Sequence, residues 1–244
     1  MSIRSTAPRS FLSNASLLAS LSILAFPANP RALPQNPQLQ ERVTEIKQAA
    51  GLNKLALAQY TWQEQQTISI KGNVKKQKQF LVRLGPDGKP QKTEIDPQDQ
   101  SSSGRKHGLK HRIVEKKKAE YEDYAKQIAA LAQDYARPDP ERLQQLFQQG
   151  NIMFGSAGAP GVVKIVIHNY LKQGDSVTLV FSEAQKALES IAVSSYLDNP
   201  KDGMTLSAQY TKEPQGPNHV SSMLVNGVSK QLAVAMQNSN YQRM

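Results

Sequence analysis

The rhythm of its last third constrains this chain most. From Gly161 onwards, apolar-alternating runs follow one another: VVKIVIHNYL, DSVTLVF, ALESIAVSSYL, MTLSAQYTK, HVSSMLV and VSKQLAVAMQNSNY. Turn formers stand between them: Lys172-Gln173-Gly174, Asp198 to Gly203, Gln215-Gly216-Pro217-Asn218, and Asn226-Gly227. Side chains that alternate in polarity suit a strand with one wet and one dry face, and the interruptions carry turn chemistry. The pattern therefore predicts an antiparallel meander, with Asn226-Gly227 as a two-residue hairpin turn.

Three further strands stand upstream. In YTWQEQQTISIKG, Tyr60, Trp62, Ile68 and Ile70 share one parity, and Thr61, Gln63, Gln65, Thr67 and Ser69 share the other. A hairpin follows, with Phe80, Val82 and Leu84 on its first strand, Gly85-Pro86-Asp87-Gly88 as the turn and a return strand to Ile95. Pro86 presets φ and Gly88 permits a positive φ there. Between hairpin and meander the period changes. Ile113, Tyr121, Tyr124, Ile128, Leu131 and Tyr135 recur at helical spacing, giving one long amphipathic helix that ends at Arg137-Pro138. Asp139-Pro140 opens a shorter helix with Leu143, Leu146 and Phe147 on its apolar side. GNIMFGSAGAPG reads as a glycine-rich connection, and another amphipathic helix starts near Leu39. The fold class expected is α+β: about nine antiparallel strands with two or three helices.

The N-terminus places the chain. Arg4 and Arg9 precede an apolar run from Phe11 to Phe26, followed by Pro27, Ala28 and Asn29. This is the build of a secretory signal peptide, too short for a spanning helix. The expected organisation is a signal peptide over 1–28, a flexible leader over 29–37, and a single domain over 38–244 with a helical insertion at about 109–149. The absence of cysteine excludes disulfides and thiol catalysis and favours a bacterial periplasm or exterior. The chain carries 30 Lys+Arg against 20 Asp+Glu, and cleavage would remove only Arg4 and Arg9, so the mature protein stays basic. For an exported protein, anionic lipid surfaces are more natural attractors of that charge than nucleic acid.

The segments YTWQEQQTISIKG, GPDGKPQKTEI, GLKHRIVEKKK, SYLDNPKDGMTL and QNSNYQ resemble a family of uncharacterised secreted bacterial proteins. More distantly, the order of elements resembles the lipoprotein-carrier (LolA/LolB-like) superfamily. That resemblance implies a strongly bent, unclosed half-barrel with helices packed on its concave side. It also implies a cavity that takes lipid acyl chains or other hydrophobic molecules. No ligand-gating residue aligns. Tyr60, Trp62, Ile68, Phe80, Tyr121, Tyr124, Ile128, Phe181 and Tyr210 are the ligand-cavity candidates, with Phe154 beside them. For any single one of them, plain core packing is the favoured reading. The helix Leu109–Ala136, or the one from Leu39, would serve as a lid, with 96–108 and 150–161 as hinges.

Lys110, Arg112, Lys116, Lys117 and Lys118 are candidates for an anionic surface. Successive lysines lie about 100° apart on a helix and Glu115, Glu120, Glu122 and Asp123 interleave with them, so a solvated helix face is the plain reading. No catalytic grouping, cofactor motif or metal set is expected. His107 and His111 lack a further ligand, His168, Asp175 and Ser176 lack a hydrolase motif, and GSAGAPG lacks the ending of a phosphate loop. Two functions remain: a non-catalytic binder or carrier of a lipid or other hydrophobic molecule, or a protein-binding envelope module with a filled core.

Overall fold

The computed structural model describes residues 48–95, 109–135 and 139–244. Helix α1 occupies residues 48–57. Strands β1 (Tyr60–Ile70), β2 (Asn73–Leu84) and β3 (Pro90–Glu94) follow, then helices α2 (Leu109–Tyr135) and α3 (Pro140–Gln148). The meander comprises β4 (Ile152–Ser156), β5 (Val162–His168), β6 (Ser176–Ser182), β7 (Ala187–Tyr196), β8 (Gly203–Lys212), β9 (Asn218–Gly227) and β10 (Leu232–Arg243). The signal peptide, the leader, the start near Leu39, the loop 96–108 and Arg137-Pro138 lie outside the described residues.

All ten strands form one antiparallel sheet in the order β3-β2-β1-β10-β9-β8-β7-β6-β5-β4. The sheet is not closed: five-residue strands β3 and β4 are its two edges. Short edges present few unpaired backbone groups to other chains. β3 and β4 are successive strands in sequence yet lie at opposite edges, so the helical segment between them must cross the sheet. The 27 residues of α2 span ~40 Å at 1.5 Å per residue, close to the width of ten strands spaced ~4.8 Å apart. The crossing covers the apolar face of the sheet, which gives the α+β half-barrel architecture expected.

Local chemistry sets the connections. Lys71 and Gly72 both have positive φ, 52° and 75°, and Ile70 faces Asn73, so β1 and β2 join through a two-residue turn matched to strand twist. The turn at 85–88 forms as the sequence predicts: the Gly88 N–H donates to the Gly85 carbonyl at 2.8 Å, with Gly88 at φ 73°. α3 begins at Asp139, whose carboxylate accepts from the Glu141 and Arg142 amides.

Two readings of turns change. The glycine-rich connection contains β4, whose Ile152, Met153 and Phe154 pair with Ile167, Val166 and Ile165. The segment 150–161 is therefore tied to the sheet and is not a free hinge. Asn226 and Gly227 end β9 inside the ladder, facing Ala233 and Leu232, and residues 228–231 make the turn. Gly227 is needed for another reason: a Cβ there would stand 2.6 Å from Cε1 of Tyr124.

Two apolar clusters occupy the inner face. The larger joins α2 and α3, through Tyr124, Ile128, Leu131, Tyr135, Leu143 and Leu146, to inward residues of β1 and β5–β10. The smaller comprises Leu57 of α1, Trp62, Val82 and Leu84, with Phe80 and Tyr241 half-buried against it.

Candidate functional site

The inner face is best read from how the helices are fixed to it. α2 is held at three hairpins along one end of the sheet. Glu120 pairs with Lys230 of the β9–β10 turn. The Tyr124 hydroxyl donates to Asp202 Oδ1 of the β7–β8 turn at 2.7 Å. The Tyr135 hydroxyl meets Asp175 of the β5–β6 loop, and it lies 2.7 Å from Ser195 Oγ. Asp175, only 1% exposed, also accepts the amides of Tyr170, Leu171 and Lys172 at 2.6, 2.8 and 2.8 Å. A carboxylate accepting this many donors organises its loop. Burial and the neighbouring carboxylates raise both phenols, Tyr124 to about 12. These anchors tie much of the helix assigned the lid role to the sheet.

At the opposite end lies α1. Asn53 exchanges hydrogen bonds with the backbone of Asn218 at 2.8 and 2.6 Å, and Leu57 packs with Trp62, Val82 and Leu84. The inner face of β1–β3 carries a strip of charged side chains, termed the furrow below. Register dictates its composition: Glu64 and Gln66 share the parity of Trp62 and Ile68, and cross-strand pairing sets Phe80 beside Glu64, Lys78 beside Gln66 and Lys76 beside Ile68. On the other side of β2, Glu94 faces Phe80 and Lys92 faces Val82.

Two ion pairs run diagonally across this strip. Lys92 Nζ lies 2.6 Å from Glu64 Oε1, with the side chains 13% and 4% exposed. Lys78 Nζ lies 2.5 Å from Glu94 Oε2. Both ammoniums flank the Phe80 ring, at 5.6 and 5.8 Å from its centroid, within cation–π range. Lys76 is half-buried in the same row and has no hydrogen bond or ion pair among the described residues. Burial, then the Lys78 charge, holds its pKa below the ordinary lysine value.

An aromatic column closes the furrow on the β9–β10 side. The Trp62 and Tyr241 rings stack at 5.4 Å, and Tyr241 stacks on His219 at 3.6 Å. His219 Nε2 lies 2.8 Å from Glu213 Oε1. Burial, then Glu64 and Glu213, pushes the Tyr241 phenol up. Among the described residues, the buried Trp62 indole N–H has no acceptor and the buried Asn238 Oδ1 has no donor; Asn238 sits opposite Glu64 in the ladder.

The nine cavity candidates do not converge on one spot. Ile68, Tyr124, Ile128 and Phe181 are sealed in the larger cluster, with Tyr210 half-buried at its margin. Trp62 is sealed in the smaller cluster, beside half-buried Phe80. Tyr60 is half-buried, near Gly216, and Tyr121 is half-buried with the Lys230 ammonium 5.8 Å from its centroid. Lys116, Lys117 and Lys118 are exposed, and Lys118 Nζ lies 3.8 Å from Glu122; the side chains of Lys110 and Arg112 lie outside the described residues. The furrow residues Glu64, Gln66, Lys76, Lys78, Lys92 and Glu94 escaped the sequence reading. Parity along YTWQEQQTISI pointed to Glu64 and Gln66, whereas KKQKQ carries no apolar marker to show which lysines turn inward. Among the described residues no group of three His, Asp or Glu gathers as metal ligands would, and no helix is long and apolar enough to cross a membrane.

No family model matches this chain, and no curated protein matches it. Among solved structures, it is similar to a DUF1329 family protein from Desulfovibrio piger, with a TM-score of 0.37 and 10% identity over 82% of this chain and 92% of that one. It is also similar to a LolA superfamily protein from Nitrosomonas europaea, with a TM-score of 0.36 and 9% identity over the same shares. No activity is carried over from either.

Proposed function

We propose that this chain is an exported envelope protein that binds a hydrophobic or amphiphilic molecule on the inner face of its open sheet, without catalysis. One observation carries the reading. Inward-facing apolar side chains that a filled core would seal, namely Phe80, Phe154, Tyr210, Tyr241, Ile70 and Val234, remain half-buried against the two clusters. Further burial of such surface by a ligand gains about 25 cal/mol per Å² removed from water. Tied to three hairpins, α2 serves as a fixed wall, and the ligand reaches the inner face from the β1–β3 wing.

The test is mass spectrometry of an organic extract of the mature protein, purified from its own envelope without detergent. A stoichiometric lipid or other hydrophobic species supports a carrier and names the class of its cargo. An empty extract from folded protein that also fails to bind an apolar fluorescent probe overturns the reading. The function would then move to a protein-binding module, for which Leu52 and Leu55, 70% and 68% exposed on α1, offer an apolar contact surface.

A further inference from the structure

We infer that the furrow on β1–β3 receives the anionic head of an amphiphile, a carboxylate or phosphate held by the Lys76 ammonium beside Lys78, with the chain lying over Phe80. The inference rests on the proposed function and names the chemistry its ligand must have.

Charge balance is the first argument. Lys76, Lys78 and Lys92 face Glu64 and Glu94 across three adjacent strands. Each carboxylate is already engaged, Glu64 by Lys92 and Glu94 by Lys78. Glu94 acts on Lys76 at longer range while paired to Lys78, and Lys118 and Glu122 of α2 act on it with opposite signs while standing 3.8 Å apart. The strip is thus one anion short, and the shortfall sits at Lys76, which has no ion-pair partner among the described residues. Glu94 and Glu122 reach Lys76 only through space, so this half-buried ammonium has no directly paired carboxylate, and an anion bound there would supply one. Its depressed pKa agrees with that deficit.

Placement is the second argument. Lys76 precedes Lys78 and Phe80 on one face of β2, so a head group at Lys76 puts the following atoms of its ligand alongside the half-buried Phe80 ring. From there the half-buried Tyr241 and the cluster around Trp62 continue the apolar path. An anion beside Lys76 also meets the Lys78 ammonium, which is 13% exposed and already fixed by Glu94, so little ordering is required on binding. A neutral head group of the same length would find the same apolar path and no charge to answer.

Trp62 is the sole tryptophan, and it borders the furrow, so its fluorescence reports directly. Delipidated mature protein is titrated with dodecanoate, with dodecan-1-ol and with inorganic phosphate at pH 8, using wild type, Lys76→Met and Lys76→Arg. The expected result is dodecanoate binding at least ten-fold tighter than the alcohol in wild type. Lys76→Met should bring the two ligands within about three-fold, and Lys76→Arg should retain most of the preference. Circular dichroism and a melting curve confirm that both variants fold; the arginine variant keeps the charge should methionine disturb the strand. Equal binding of acid and alcohol by wild type, or a preference unchanged in Lys76→Met, overturns the head-group site and leaves the hydrophobic binder standing. Binding of inorganic phosphate as tight as that of dodecanoate overturns the amphiphile in favour of a small-anion site. Failure of wild type to bind either C12 ligand overturns both the site and the function it rests on.

Discussion

Replacing Gly227 by alanine tests the packing of the long helix on the sheet, and its sign is informative. The φ of Gly227 lies outside the left-handed region, so alanine fits the backbone. In open space, glycine to alanine in a strand would stabilise by about 0.5–1 kcal/mol. Here the added Cβ would lie 2.6, 2.7 and 2.9 Å from Cε1, the hydroxyl oxygen and Cζ of Tyr124, well inside contact distance. The ring must move, and over-packing of this kind costs about 1–3 kcal/mol. Moving it also strains the 2.7 Å hydrogen bond to the Asp202 carboxylate, and a bond to a charged partner is worth about 1.5–3 kcal/mol. The expected net loss is about 2–4 kcal/mol, read from the urea midpoint at constant slope. In a Tyr124→Ala background the obstacle is gone, and the same change should cost nothing or stabilise slightly. The reasoning is refuted if Gly227→Ala costs less than about 0.5 kcal/mol in wild type, or if its cost persists with alanine at position 124.

The buried pair in the furrow should behave asymmetrically. Glu64→Ala leaves the Lys92 ammonium without its 2.6 Å partner and should destabilise by about 3 kcal/mol, whereas the double change Glu64→Leu with Lys92→Met should recover most of that in a urea titration. Alkaline stability should follow the latch phenols. Tyr124 is raised to about 12, so between pH 10 and 12 the unfolded chain loses its phenolic proton while the folded chain keeps it. By linkage, stability is fully present below pH 10 and falls across that window. The difference in urea midpoint between wild type and Tyr124→Phe should therefore shrink from pH 9 to pH 11.5; a difference that stays constant would sink the latch role of that hydroxyl.

What the sequence disclosed follows what each stretch encodes locally. The meander strands were legible because alternation runs through them from Val162 to Tyr241 and turn formers separate most of them. The helix through Tyr124, Ile128, Leu131 and Tyr135 was legible because its buried face repeats at 3.6 residues. β4 was not: its five residues, one of them Gly155, carry too few alternations, and Ile152 and Phe154 gain meaning only against Ile167 and Ile165. Asn226-Gly227 has the composition of a tight turn, but its glycine is required by a phenol 103 residues earlier, a contact no local window contains. The furrow was hidden for a related reason. Lys76 and Lys78 lie in a polar run, and only the pairing of β2 with β1 turns them towards the interior.

The pairing of β1 with β10, Tyr60 against Arg243 and Ile70 against Leu232, has a temporal consequence. The N-terminal hairpin can attach to the rest of the sheet only once the last dozen residues exist, so the most sequence-distant contacts are those that complete the structure. Non-local closure of this kind makes folding slow. If the first residues act as the export signal they resemble, slow closure would leave the sheet open while the chain is handed across a membrane.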